Sequence, residues 1–401
     1  MNTMLKECRA GLDRARDTFG VVVGVQFLSS GEGRKLEMDR MHDEVLELVS
    51  ALTDSSVSDR SSMQKKISGT SSNSLSILPA EPKIFHGRAA ELEAVVELFR
   101  QGSPRIAILG GGGMGKTSLA KAVLHDPEVS ARYERRFFVA TDSASTPPEL
   151  LQLVASHIGL HLTKNLDTRA VVRHLLQGPP CLLVLDNLET SWEPKSSRTE
   201  VEEFISHVVE VPGLALMITM RGAERPAKVH WTHPFLPPLK PLSISAARET
   251  FIDIADSFHP INEVEQLLRL TGYMPLAVNL IAHLVDYEGS SAVLARWENE
   301  KISLLSAGHD KRTNLEASIQ ISLSSSRLTS QPGAKDLLGL LSVLPDGLSD
   351  VELAQMNLPI QNIRTARSTL LSTSLAYIDE AKRLKVLVPI REHIQKSSPP
   401  S

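Results

Sequence analysis

Only two cysteines, Cys8 and Cys181, occur in this 401-residue chain, so no disulfide framework holds it together and a reducing compartment is its expected setting. Neither sign of charge dominates: 43 Lys and Arg stand against 47 Asp and Glu, a formal net charge of -4. That balance excludes a broad basic surface for nucleic acid or anionic lipid and leaves room only for a local patch. Aromatic residues make up 4% of the chain, too few for a stacking platform on single-stranded nucleic acid. Long apolar runs are missing as well. The longest near the N-terminus, Phe19 to Leu28, has ten residues, too short to span a bilayer, and no basic segment with a cleavage site precedes it. A soluble, cytoplasmic protein of several parts is the expectation, the length suiting two to four compact units at roughly 150 residues each.

Residues 1–53 hold two helical patterns, with apolar side chains three and four apart over Met4–Phe19 and Met41–Leu52. Two helices close no core alone, which suits the end of a larger bundle. From Asp54 to Ala80, ten of twenty-seven residues are serine, the composition of a flexible linker. Beyond it, short apolar runs alternate with amphipathic helices. Strands are expected at Arg105–Leu109, Arg136–Thr141, Cys181–Leu185, Ala215–Met220 and Pro234–Leu239, with helices at Ser118–Leu124, Pro148–Ile158, Thr168–Leu176 and Glu200–Val211. Apolar strands separated by helices predict an α/β fold with a parallel sheet covered on both faces. Over 241–325 the strand pattern fades into helices, a helical subdomain. Over 326–395, helix candidates at Asp336–Leu344, Asp350–Met356 and Ile363–Leu371 precede a hairpin of Leu375–Asp379 and Arg383–Pro389, the outline of a winged helix. The α/β domain is thus expected over 81–240, and 396–401 is expected to be a tail.

The strongest motif is Gly110-Gly111-Gly112-Gly113-Met114-Gly115-Lys116-Thr117, which fits G-x-x-x-x-G-K-[ST] between an apolar strand and a helix opened by Ser118. Glycines let the backbone turn its N–H groups toward phosphate oxygens at the positive end of a helix. The stretch from Gly110 through Gly113, Met114 and Gly115 to Ser118 is the candidate phosphate cradle. In it Lys116 faces the β- and γ-phosphates and Thr117 ligates Mg2+. Leu182-Leu183-Val184-Leu185-Asp186 ends an apolar strand in a carboxylate. As a parallel strand next to the first, it puts Asp186 beside the same metal, the alternative being an Asp that caps the next helix. Asn187 accepts no proton from water, whereas Glu189 is a candidate general base. Arg221 closes the run Ile218-Thr219-Met220-Arg221 at the same sheet edge, either to bond a γ-phosphate or to lie solvated against Glu224.

In this order, and with Phe85-His86-Gly87-Arg88 before the sheet and Gly272-Tyr273-Met274-Pro275-Leu276-Ala277 after it, the motifs resemble the NB-ARC branch of the STAND P-loop NTPases. Those are nucleotide switches of plant disease-resistance proteins, apoptosome-forming activators and fungal NLR-like receptors. The resemblance spans about 84–395. It implies that Arg88 borders the adenine and that Pro275 closes against bound ADP or ATP. It also implies self-association in the ATP state and an effector or sensor partner that the sequence does not name. Read from the residues alone, Pro275 is a helix-starting proline. Three departures stand out. Asn187 replaces the family's second Asp, which implies slow or absent hydrolysis. Val386-Leu387-Val388 stands where the family has M-H-D, with His393 farther along. The chain stops at Ser401, where relatives continue into sensor repeats. The Ser-rich linker and Asp186-Asn187-Leu188-Glu189 are most similar to the fungal members, some of which begin with a helical adaptor bundle.

Three functions compete. One is a switch that rests with ADP and exchanges to ATP, and one is a turnover ATPase that needs Glu189 as base. The third is a non-catalytic adaptor whose winged helix binds a partner or DNA, for which Lys382-Arg383-Leu384-Lys385 is a small basic cluster only.

Overall fold

The computed structural model describes residues 78–160, 167–305, 314–356, 358–379 and 381–397. The helical segment expected over 1–53 and nearly all of the linker expected over 54–80 lie outside the described residues.

A helix, α1 (Ala89–Gln101), leads into strand β1 (Arg105–Gly110) and on to α2 (Lys116–His125). Then come α3 (Pro127–Arg132), β2 (Arg135–Ala140), α4 (Pro147–His157), α5 (Thr168–Leu176), β3 (Cys181–Asp186), α6 (Glu189–Trp192), α7 (Lys195–Val208) and β4 (Leu214–Arg221). Local chemistry sets several starts. The Asp126 carboxylate caps α3, and Thr146 with Glu149 forms a reciprocal capping box on α4. The strands form one parallel four-stranded sheet in the order β1-β4-β3-β2. Side chains alternate between two cores. Ile106, Ile108, Leu182, Val184, Ala215 and Met217 face one, while Ala107, Leu109, Leu183, Leu185, Leu216 and Ile218 face the other. Burial on both faces is why these strands read as unbroken apolar runs.

Two expectations fail here. The Asp186 strand is not next to β1, because β4 lies between them. Strand order depends on which connecting helix covers which face, and no single segment encodes that. Nor does Pro234–Leu239 form a strand. Prolines at 234, 237 and 238 supply no N–H donors, and what remains is an isolated bridge in which the Leu239 N–H donates to the Leu109 carbonyl at 2.8 Å.

The helical part comprises α8 (Ile244–Ala255), α9 (Ile261–Leu270), α10 (Pro275–Glu288), α11 (Ser290–Glu300) and α12 (Leu315–Leu323). A four-residue helix, α13 (Ser326–Thr329), connects it to α14 (Pro332–Val343), β5 (Leu348–Ser349), α15 (Asp350–Gln355), α16 (Ile363–Ser372), β6 (Tyr377–Ile378) and β7 (Arg383–Lys385). Three helices and an antiparallel sheet in the order β5-β7-β6 make this a winged helix. The second arm of the expected hairpin is shorter than its apolar run suggests, since from Val388 the chain forms α17 (Val388–Ser397). Proline tolerates the first turn of a helix, and Pro389 sits there. No helix among the described residues is long and apolar enough to cross a membrane.

Candidate nucleotide-binding site

The P-loop joins the C-terminal end of β1 to the N-terminus of α2. Gly113 and Gly115 have φ of +75° and +85°, the left-handed backbone that glycine adopts without a Cβ penalty. Lys116 follows, 6% exposed, and its Nζ donates to the carbonyls of Gly110 at 3.1 Å and Gly111 at 2.7 Å. Burial pushes its ammonium pKa down to about 8; nearby Glu189 and Asp186 resist that shift and Arg221 adds to it.

Although β3 is not beside β1, its terminal carboxylate reaches the P-loop helix. Thr117 Oγ1 lies 2.9 and 3.1 Å from the two oxygens of Asp186, which is fully buried. From the intervening strand β4, Thr219 Oγ1 donates to Asp186 Oδ1 at 2.6 Å and in turn accepts from the Asn187 N–H at 3.0 Å. Asp186 therefore does not cap the next helix; it is fixed by hydroxyls from α2 and β4. Thr219, quoted in the sequence only as part of a strand, is the residue that carries this orientation.

Arg221 ends β4, 13% exposed. Its sequence alternative, a solvated pair with Glu224, is not what forms. Its Nε pairs with Glu189 Oε1 at 3.2 Å, and its other face donates to the Ser318 carbonyl at 2.8 Å and the Ser322 hydroxyl at 3.1 Å, both on α12. The second carboxylate oxygen of Glu189 is buried with no hydrogen-bond partner. A buried acceptor left open in this way is costly unless something fills it.

The far side of the site comes from α1 and α10. Arg88 is 5% exposed and donates to the carbonyls of Met114 at 3.2 Å and Lys240 at 2.5 Å while pairing with Glu91 at 2.9 Å. Its side chain thus braces the P-loop against the start of the helical part. Pro275 occupies the first turn of α10, as the residue reading expects, and the next N–H, that of Leu276, donates to the Gly113 carbonyl at 3.1 Å. Between these elements lies a cavity of about 360 Å3, lined by Arg88, Gly113 to Ser118, Arg221 and Pro275. Lys121, Thr250 and Asn279 also line it, without a sequence motif to announce them. Of the sequence candidates, Gly110, Asp186 and Glu189 stand behind the cavity wall rather than in its lining. Leu387, in the position where the M-H-D motif is expected, lies with Ser374 beside Gly111 and Gly112. His393 is elsewhere: buried on α17, it faces Gln320 of α12 at 3.4 Å.

Family comparison addresses the same region. The family model Novel STAND NTPase 1 matches residues 78–230. Those residues form a STAND-type P-loop NTPase domain. The chain is similar to part of disease resistance RPP13-like protein 4 of Arabidopsis thaliana, 30% identical over 107 residues, which are 24% of this chain and 12% of that protein. It is also similar to disease resistance protein RGA2 of Solanum bulbocastanum, 28% identical over 118 residues, 27% of this chain and 12% of that protein. The chain thus spans about 12% of the length of these curated relatives. Among solved structures, the Walker-type ATPase PABY2304 of Pyrococcus abyssi matches with a TM-score of 0.56 at 14% identity, over 80% of this chain and 99% of that one. At that identity the likeness is one of fold, and it extends beyond the STAND domain into the helical region.

Proposed function

We propose that this chain is a nucleotide-dependent signalling switch of the NB-ARC kind, closed with ADP and opened by exchange to ATP, after which it self-associates. The observation that carries the reading is that the helical part and the winged helix both touch the P-loop backbone. Leu276 bonds Gly113, and a Cβ on Gly111 would sit 3.3 Å from the Ser374 carbonyl. Anything bound in the cavity therefore bears on all three bodies, taken as 81–240, 241–325 and 326–395.

The cradle suits a nucleoside diphosphate. Glycine backbone at a helix N-terminus, the Lys116 ammonium and two nearby guanidinium groups favour phosphate. Thr117 and Asp186 are hard oxygen donors side by side, the set that holds Mg2+ together with phosphate oxygens. On this reading the metal screens phosphate charge. Lys116 and the backbone from Gly110 to Ser118 bind the phosphates, Arg88 and Pro275 border the base, and Arg221 answers to the γ-phosphate. A nucleotide shifts the equilibrium only by its differential affinity for the two forms. Arg221 supplies such a difference, because the α12 groups it donates to in the closed form compete with a γ-phosphate oxygen for the same guanidinium.

A turnover ATPase is disfavoured because Glu189, the base candidate, is already paired with Arg221. DNA binding through the wing is disfavoured because two of the three cations in its small basic cluster are spent internally. Arg383 bonds the Asp346 and Gly347 carbonyls and Glu352, and Lys385 pairs with Asp379 at 3.0 Å.

The test is the nucleotide released on denaturing the purified protein, compared with Lys116→Ala. Near-stoichiometric ADP from the wild type, and at least about tenfold weaker retention in the variant, is expected for a lost charge-assisted phosphate contact. Equal retention by the two would sink the reading.

A further inference from the structure

Arg327 belongs to none of the motifs, yet its side chain bonds groups from several elements of the fold. It sits on α13, between the helical part and the winged helix, with 13% of its side chain exposed. Its Nε donates to Glu193 Oε1 at 2.8 Å, and Glu193 closes α6, the short helix that begins with Glu189. One terminal nitrogen donates to the Arg221 carbonyl at 3.3 Å. The other reaches Glu224 at 3.3 Å and the Ser372 carbonyl at 3.2 Å. Ser325 and Ser326, the residues just before it, bond the Glu193 carboxylate and carbonyl as well.

Ser372 is the last residue of α16 in the winged helix, where unpaired carbonyls and the helix dipole favour a cation. The same carbonyl accepts the Ala223 N–H at 2.8 Å, directly after β4. One guanidinium, with its fixed fork of five donors, thus ties the helix carrying Glu189, the strand end carrying Arg221, and the winged helix.

We infer that Arg327 is a latch: a positioning residue that seats the winged helix on the end of β4 while holding the Glu189 helix and the Arg221 strand end in register, so that nucleotide release requires it to let go. The inference rests on the switch reading for its link to nucleotide, but the seating itself does not.

The experiment uses the full chain and two measurements, release of N-methylanthraniloyl-ADP and amide hydrogen exchange in peptides covering Gly222–Glu224. In a folded Arg327→Ala variant both are expected to speed up by about tenfold, the size of a lost hydrogen bond to a charged group. The affinity ratio of ADP to ATPγS is expected to move toward ATPγS, which general loosening of the fold would leave unchanged. Arg327→Lys keeps the charge but not the fork and should fall between wild type and Ala. Should Arg327→Ala fail to fold, the isosteric Glu193→Gln carries the same expectation at about threefold, since a neutral acceptor replaces a charged one. A folded variant with unchanged exchange at 222–224 and an unchanged nucleotide ratio overturns the latch. A wild-type chain that retains no N-methylanthraniloyl-ADP overturns the switch reading instead, and exchange at 222–224 still decides the seating.

Discussion

Arg221 gives its guanidinium to Glu189, to the Ser318 carbonyl and to the Ser322 hydroxyl, so a phosphate oxygen arriving at this corner meets existing acceptors rather than a free cation. Its pairing with Glu189 is buried, and in such pairs removal of one partner is worse than absence of both, at about 3–5 kcal/mol. His393 sets a second residue-scale constraint. Burial holds its imidazole below the ordinary value near 6.5, with Glu316 across the α12 interface opposing that shift and Lys396 on its own helix adding to it. The neutral ring is therefore the native form, and the stability it contributes is fully present above pH 6.5. As pH falls below that value, the unfolded chain binds a proton more readily than the folded one, and stability declines until the folded pKa is passed. Urea midpoints at pH 7.0 and 5.5 should show a drop in the wild type that His393→Gln reduces. An identical drop in both would assign the acid sensitivity elsewhere.

At the scale of elements, the seam between β4 and α16 depends on one glycine. Gly222 has φ of +96°, its N–H donates to the Gly110 carbonyl at 3.2 Å, and a Cβ there would collide with the Ser372 carbonyl while lying 3.0 Å from the Arg327 guanidinium. Gly222→Ala should cost about 1–3 kcal/mol or more through backbone strain alone, with steric displacement of α16 added. Chemical denaturation measures the first, and limited proteolysis at the seam reports the second; a variant within 0.5 kcal/mol of wild type, the usual range of neutral surface changes, would contradict it. Elements with continuous apolar runs were legible from composition alone, as β3 and β4 illustrate. Helix α12 was not, because Ile319-Gln320-Ile321-Ser322 before a run of serines carries little periodic contrast. Val386-Leu387-Val388 misled in the other direction, its β-branched residues suggesting a longer strand where α17 begins. Within the candidate site, Lys116 and Thr117 were readable because the motif fixes their spacing, and Asp186 because it ends an apolar run in a carboxylate. Thr219, Ser318 and Arg327 were not, since their partners lie from 33 to 134 residues away and only the fold brings them together.

For the whole molecule, binding in a cavity lined by both the sheet domain and the helical part has a thermodynamic signature. A ligand present at 100 times its Kd and excluded from the unfolded chain adds about 2.7 kcal/mol to stability. ADP with Mg2+ should thus raise the wild-type melting temperature, and should raise that of Lys116→Ala by clearly less; a shift in the variant equal to the wild type's would mean that ADP binds outside the P-loop. The core on one sheet face adds a further consequence. It runs without interruption from Ile108 and Val184 through Phe251 and Ile281 to Leu338, Leu370 and Leu384. No polar layer divides the sheet from the helical part or the winged helix within it. Any separation of these bodies wets apolar surface and so carries a positive heat-capacity increment. In the proposed switch, opening would then be steeply curved with temperature, and the apolar faces it wets are the surface a second copy would cover, which would couple assembly to opening.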